Sequence, residues 1–187
     1  LRAANRLKIH AHTGGTVATM ICKEEYDRGI IVLSGNDVFA QSVAEGCLAY
    51  TLMALRKLYD EVSSMKNGGW RRVPGNNCGM IQKRIGIIGY GAIAKYYIRL
   101  LKWFQPEILV VSKYITEEEA AELGVKIASA KEAFETCDII SLHAALNAEN
   151  RGSVTADLLS RIKPGALFVN TARAGIVDEE AMMRELR

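Results

Sequence analysis

Three small residues, Gly89, Gly91 and Ala94, fall in the spacing Gly-x-Gly-x-x-Gly/Ala directly after the apolar run Ile85, Ile87 and Ile88. A backbone needs that spacing to bring its amides against a pyrophosphate. The first glycine permits a tight turn from strand to helix, the second leaves no side chain between backbone and phosphate, and the third small residue lets helix and strand pack closely. The helix start then offers unpaired N–H groups and a positive dipole end. A plain glycine-rich turn is the alternative. Here a buried-strand pattern precedes the triplet and an amphipathic pattern follows it, with Ile93, Tyr97, Leu100, Leu101 and Phe104 on one face. The order strand, glycines, helix that a dinucleotide site requires is therefore complete.

Such a site carries a carboxylate about 20 positions past the glycines, where it binds the adenosine ribose hydroxyls. In this chain Ile108-Leu109-Val110-Val111 runs instead into Ser112-Lys113-Tyr114. A carboxylate repels a 2′-phosphate, whereas a hydroxyl beside a lysine welcomes one. The sequence thus favours NADP(H) over NAD(H), or loose discrimination; the alternative is a solvated Lys113 with NAD still bound. Arg173 lies just past a strand end, where open parallel sheets place their ligand crevice. Its guanidinium is always charged and can grip a carboxylate in bidentate fashion. An ordinary solvated loop arginine is the alternative there.

The three histidines divide by context. His10 alternates along a strand and reads as packing, His12 borders a glycine loop and could contact a ligand, and His143 ends a sheet strand near the crevice. The four cysteines, Cys22, Cys47, Cys78 and Cys137, are far apart and form no Cys-x-x-Cys pair, so neither a metal site nor a disulfide framework is indicated. Idle thiols in a reducing, cytoplasmic setting are the expectation. A formal charge of +3 with scattered Lys and Arg asks for neither nucleic acid nor a membrane surface. No signal peptide or transmembrane-length apolar run is expected. At 187 residues the chain suits one domain, or one domain plus a fragment. It opens on Leu1 and ends at Arg187 inside an unfinished helical pattern, which reads as a piece of a longer protein.

The elements that must hold these residues follow from pattern and punctuation. The expectation is a strand over 7–11, the loop His12-Thr13-Gly14-Gly15-Thr16, a helix over 17–28 closing at Gly29, and a short strand over 30–33. A long helix over 38–59 is apolar on more than one face, as befits burial between domains or subunits. Residues 61–80 read as a loop or arm, in which Trp70 anchors a partner or covers its own core. Beyond Gly86 strands and helices alternate: strand 85–88, helix 92–104, strand 108–111, helix 117–123, strand 125–127, helix 131–136, strand 138–142, helix 156–161, strand 166–169 and a helix from 179. Thr116 with Glu119 and Ser129 with Glu132 fit capping boxes, and Gly124 fits a helix C-terminus. Strands separated by helices imply crossover connections and a parallel, doubly wound α/β sheet.

The segments 137–144 (Cys-Asp-Ile-Ile-Ser-Leu-His-Ala), 150–152 (Asn-Arg-Gly), 162–173 (Ile-Lys-Pro-Gly-Ala-Leu-Phe-Val-Asn-Thr-Ala-Arg) and 176–179 (Ile-Val-Asp-Glu) follow the glycines in order. Together they resemble the NAD-binding domain of the D-isomer-specific 2-hydroxyacid dehydrogenases. Ser42-Val43-Ala44-Glu45 with Leu55-Arg56 resembles that family's long interdomain helix. The resemblance runs from about Leu7 to the end of the chain.

The resemblance implies two α/β domains, with the Rossmann-type dinucleotide domain inserted in a substrate domain. Residues 1–36 would be a remnant of the substrate domain, and 37–187 the NAD(P)-binding domain with its interdomain helix and dimer arm. It implies hydride transfer between a nicotinamide and a 2-oxo or 2-hydroxy acid. Arg173 would grip the substrate carboxylate and polarise the carbonyl, and Thr13, Gly14 and Gly15 would hold the carboxylate's other side through an anion nest of backbone amides. Ala92 and Ile93 would cover the pyrophosphate, Thr171 and Ala172 would face the nicotinamide, and His143 would lie at the cofactor without donating the proton. Ala174 departs from the family's usual glycine. The family's acid, a histidine oriented by a glutamate, lies downstream of Arg187, so the chain by itself is expected to be inactive. A homodimer through 38–59 and 61–80 is implied as well. The alternative on the same fold is a dinucleotide-sensing, corepressor-like binding protein.

Overall fold

The computed structural model describes residues 4–17, 20–70 and 78–186. Two parallel sheets organise them. The smaller joins β1 (Ile9–His12) to β2 (Ile31–Ser34) through α1 (Lys23–Asp27). The helix is shorter than the expected 17–28, because the Glu25 carboxylate accepts the Cys22 N–H at 3.0 Å and so starts the helix there. Glu25 is buried and also takes Nδ1 of His10 at 2.8 Å, so His10 is a polar partner rather than mere packing.

The long helix divides in two. Its first part, α2 (Asn36–Leu55), is followed by Lys57 in the left-handed conformation, and α3 (Leu58–Lys66) then runs into the segment expected to be an arm. Residues 71–77 of that arm lie outside the described residues. The absence of a transmembrane-length apolar run also needs correction. By length and composition α2 could cross a membrane, and 22% of its apolar stretch is buried within the chain. Here it packs on the helix Ala92–Leu101 through a stripe of Ala40, Ala44, Cys47 and Thr51, small residues that let the helices approach closely.

The larger sheet contains β3 (Arg84–Ile88), β4 (Glu107–Val111), β5 (Lys126–Ile127), β6 (Ile139–Leu142) and β7 (Leu167–Asn170), all parallel, in the order β5-β4-β3-β6-β7. Helix α4 (Ala92–Leu101) connects β3 to β4, and α5 (Glu117–Leu123) connects β4 to β5. The chain then crosses to the other side of β3, where α6 (Ala130–Thr136), α7 (Ala156–Ser160) and α8 (Glu179–Glu185) complete the second layer. Alternate residues feed two cores. Ile85, Ile87, Ile108 and Val110 meet Ala44, Tyr97, Ile98 and Leu101 on one face, while Leu109, Ile140 and Leu142 meet Phe134, Leu159 and Ile176 on the other. Strand β3 has a glycine at 86 because α6 presses onto it: a Cβ there would lie 3.2 Å from Cys137 Sγ and 3.3 Å from Ala133 Cβ.

Local chemistry sets several ends. Thr116 Oγ1 accepts the Glu119 N–H while the Glu119 carboxylate accepts that of Thr116, a complete capping box, and Gly124 closes α5 at φ +62°. Ser129 accepts the Glu132 N–H, the first half of the second expected box. The helix expected over 92–104 tightens into a 3₁₀ turn at Lys102–Phe104 and stops at Gln105, which is left-handed.

Candidate functional site

The strand order reverses beside β3, and the crevice that this creates opens at the C-terminal ends of β3 and β6. The Gly89 N–H donates to Val111 O at 2.9 Å, and the His143 N–H to Ile88 O at 2.8 Å, so the glycine turn sits between the exits of β4 and β6. Its small residues differ in why they are small. Gly89 has φ +97°, and a Cβ there would stand 2.6 Å from Ala144 N, so both conformation and space demand glycine. Ala94 is fully buried. Gly91, the N-cap of α4, has an ordinary extended backbone, and a Cβ on it would meet nothing within 4 Å. Nothing among the described residues requires glycine at 91. Ala92 and Ile93 form the half-buried first turn of α4 beside it.

His143 follows β6 and is buried against the Tyr97 ring, centroids 5.1 Å apart. One ring nitrogen, Nε2, pairs with Ser141 Oγ at 2.9 Å; Nδ1 is buried with no partner among the described residues. Burial pushes the imidazole down to about 4, so it is neutral at physiological pH. Behind it runs a polar chain. Thr51 Oγ1 donates to Cys47 O at 2.7 Å, so the Tyr97 hydroxyl is the donor in its 3.0 Å bond to Thr51. Burial pushes that phenol up to about 12. The Cys47 thiol lies 3.0 Å from Thr171 Oγ1, which joins α2 to the loop after β7.

That loop braces itself. Asn170 Oδ1 accepts the Ala172 N–H at 3.0 Å, and Arg173 Nη1 donates to Ala172 O at 2.8 Å. Arg173 is exposed and directly precedes the 3₁₀ turn Ala174–Ile176, which forms with alanine at 174. Gly175 O accepts the Gly152 N–H at 2.9 Å, tying this loop to the one after β6.

The remaining predicted residues fall into two places. Thr13, Gly14 and Gly15 lie over the start of α2, where the Gly35 N–H donates to both His12 O and Gly14 O. The His12 ring folds against Gly14. Cys47 stands about 16 Å further along α2 at the usual helical rise. Among the described residues no hydrogen bond joins Thr13–Gly15 to Arg173. At the exit of β4, Ser112 Oγ accepts the Tyr114 N–H at 3.1 Å, and Lys113 Nζ pairs with Glu149 Oε2 at 2.6 Å. The sequence reading missed Glu149, and Cys47, Thr51 and Tyr97 as polar partners. Three of these four read as apolar or neutral helix positions, and Glu149 stands 36 residues from its lysine; no local pattern marks any of them.

A family profile described as D-isomer specific 2-hydroxyacid dehydrogenase, NAD binding domain, matches residues 48–187. D-3-phosphoglycerate dehydrogenase of Mycobacterium leprae (strain TN) is 29% identical over 187 residues, covering 100% of this chain and 35% of that protein. Among solved structures, a phosphoglycerate oxidoreductase from Vibrio cholerae o395 superimposes with a TM-score of 0.78 at 33% identity, over 95% of this chain and 57% of that one. A glyoxylate reductase from Paecilomyes thermophila gives 0.84 at 27% identity, over 96% and 54%. The chain spans about a third of the length of the curated relatives it matches.

Proposed function

Because the chain belongs to the D-isomer-specific 2-hydroxyacid dehydrogenases and carries their NAD-binding domain, we propose that it holds NAD(H) on the turn from β3 to α4. Within a longer protein it would serve an oxidoreductase acting on a 2-oxo/2-hydroxy acid pair. The observation that carries this reading is Gly91: its backbone is unstrained and its Cβ position is empty, so glycine there serves an approaching ligand and not the fold. The unpartnered Nδ1 of His143, buried at the same crevice, is a second group that fits a polar ligand.

The bound nicotinamide supplies or accepts the hydride. Arg173 holds the substrate carboxylate and polarises the carbonyl, with its exposed guanidinium carried on a self-braced turn. The amides of Thr13, Gly14 and Gly15 hold the other side of the carboxylate. Thr171, fixed by Cys47, and Ala172 position the nicotinamide face. His143 is neutral and buried, which suits a hydrogen-bond partner and not a proton donor at neutral pH. On this reading residues 1–36, with the small sheet, belong to a substrate domain, 37–187 form the cofactor domain, and the proton comes from a group outside this chain. The chain alone binds cofactor and does not turn over.

The exposed apolar side chains of α2 and α3, among them Phe39, Tyr50, Met53, Tyr59, Val62 and Met65, continue to an exposed Trp70 and suit a homodimer. Fluorescence titration of NADH into the chain tests the central reading. Saturable binding in the micromolar range is expected, and no binding at millimolar NADH would overturn it.

A further inference from the structure

We propose that Glu149, on the loop after β6, supplies the carboxylate that the end of β4 lacks and makes the ribose end of the groove select NAD(H) against NADP(H). The inference rests on the dinucleotide reading above and deepens it. Val111 pairs in register with Ile88, and its carbonyl accepts the Gly89 N–H, so Ser112 and Lys113 are the first residues past β4 beside the glycine turn. This is where a Rossmann site meets the adenosine ribose.

Lys113 does not wait there as an open cation. Glu149 reaches it from the exit of β6, and β3 lies between β4 and β6 in the sheet. The ion pair therefore spans the mouth of the crevice. Each partner holds the other charged: the carboxylate pushes the Lys113 ammonium up, and the ammonium holds the Glu149 carboxyl below its usual range.

The loop aims Glu149 by its backbone. Asn147 Oδ1 accepts the N–H groups of Glu149 at 2.9 Å and of Asn150 at 3.0 Å, while Asn150 Oδ1 accepts the Asn147 N–H at 2.8 Å. The Asn150 amide also donates to Ala145 O at 2.5 Å. With its N–H so held, Glu149 presents its carboxylate across the groove.

The net charge of the pair is zero, which reverses the expectation drawn from Ser112 and Lys113 alone. A 2′-phosphate would have to displace Glu149 from the lysine and then remain beside a released carboxylate. Free ribose hydroxyls meet no repulsion and find in an ionised carboxylate an acceptor for their protons. Both side chains are largely exposed, 61% for Lys113 and 71% for Glu149, so removing either leaves the fold intact.

The test is NADH and NADPH titration into the 187-residue chain and its Glu149→Gln and Glu149→Gln/Lys113→Ala variants. The wild type is expected to bind NADH more tightly than NADPH. Glu149→Gln should strengthen NADPH about fivefold to tenfold while NADH changes little, and adding Lys113→Ala should cancel the gain. An unchanged NADPH-to-NADH ratio in Glu149→Gln, or a wild type that prefers NADPH, would overturn the assignment while leaving the dinucleotide site standing. Failure of the wild type to bind NADH at all would remove that site, and this inference with it.

Discussion

The thiol of Cys47 and the hydroxyl of Thr171 lie 3.0 Å apart across 124 positions of sequence. Through this contact α2, which starts beneath the Thr13–Gly15 loop, is attached to the strand exit that carries Arg173. Replacing Cys47 with Ala removes a buried hydrogen bond and opens a small void, a loss of about 1–3 kcal/mol in unfolding free energy. Cys47→Ser keeps a partner for Thr171 and should lose less. Urea denaturation of the two variants measures the difference.

Thiol chemistry gives a second readout. Cys47 and Cys137 are buried, and burial pushes both thiols up, Cys137 to about 11. Neither should react with Ellman's reagent at neutral pH until urea unfolds the chain, whereas exposed Cys22 should react at once.

The glycines at 89 and 91 should separate fold from binding. Gly89→Ala forces a side chain onto φ +97° and against the Ala144 backbone, and should cost at least about 2–3 kcal/mol of stability. Gly91→Ala meets no atom of the described residues within 4 Å. It should leave the melting temperature near wild type and weaken NADH by about tenfold or more, since its methyl enters the space of the pyrophosphate. Calorimetric melts and NADH titration on both variants check the pair.

His143 predicts a pH dependence with a definite sign. Its folded pKa of about 4 lies below the ordinary value of 6.5. Between these values the unfolded chain binds the proton and the folded chain does not, so stability falls as pH drops from about 6.5 to about 4. The full effect is on the order of 3 kcal/mol. Urea midpoints from pH 7 to pH 4.5 should show this slope, and His143→Gln should flatten it. An identical slope in the variant would assign the titration to other groups.

Exposure of Tyr59 and Met65 on α3 tests the assembly. The wild type should sediment as a dimer at micromolar concentration, and Tyr59→Glu with Met65→Glu should give a folded monomer, since a charge in an apolar interface loses its hydration without a partner.

Much of the fold was legible because its signals are short-range. The buried run at 85–88, the glycine spacing, the amphipathic period of α4 and the capping residues Thr116, Ser129 and Gly124 all act within a turn or two of chain. Alternation of strand and helix then implied parallel strands and a crevice at their C-terminal ends, and Arg173 was singled out there by the resemblance of its Asn-Thr-Ala-Arg segment to the family motif. The division of the long helix was less legible. Lys57 has a residue type that helices favour, and only its left-handed backbone marks the break.

The sequence by itself determined most of the strands and helices, though not the bounds of α1 or the break between α2 and α3, that the sheet is parallel, and that a glycine turn meets a helix start. Tertiary structure decided on which side of β3 each crossover returns, which brought β6 beside β3. That placement set Glu149 on Lys113, Cys47 on Thr171 and the ring of Tyr97 on His143. The physical reason is range. Backbone propensity and side-chain periodicity are written into neighbouring residues, whereas the partner of a lysine at one strand exit is whichever group the packed sheet carries to the next exit.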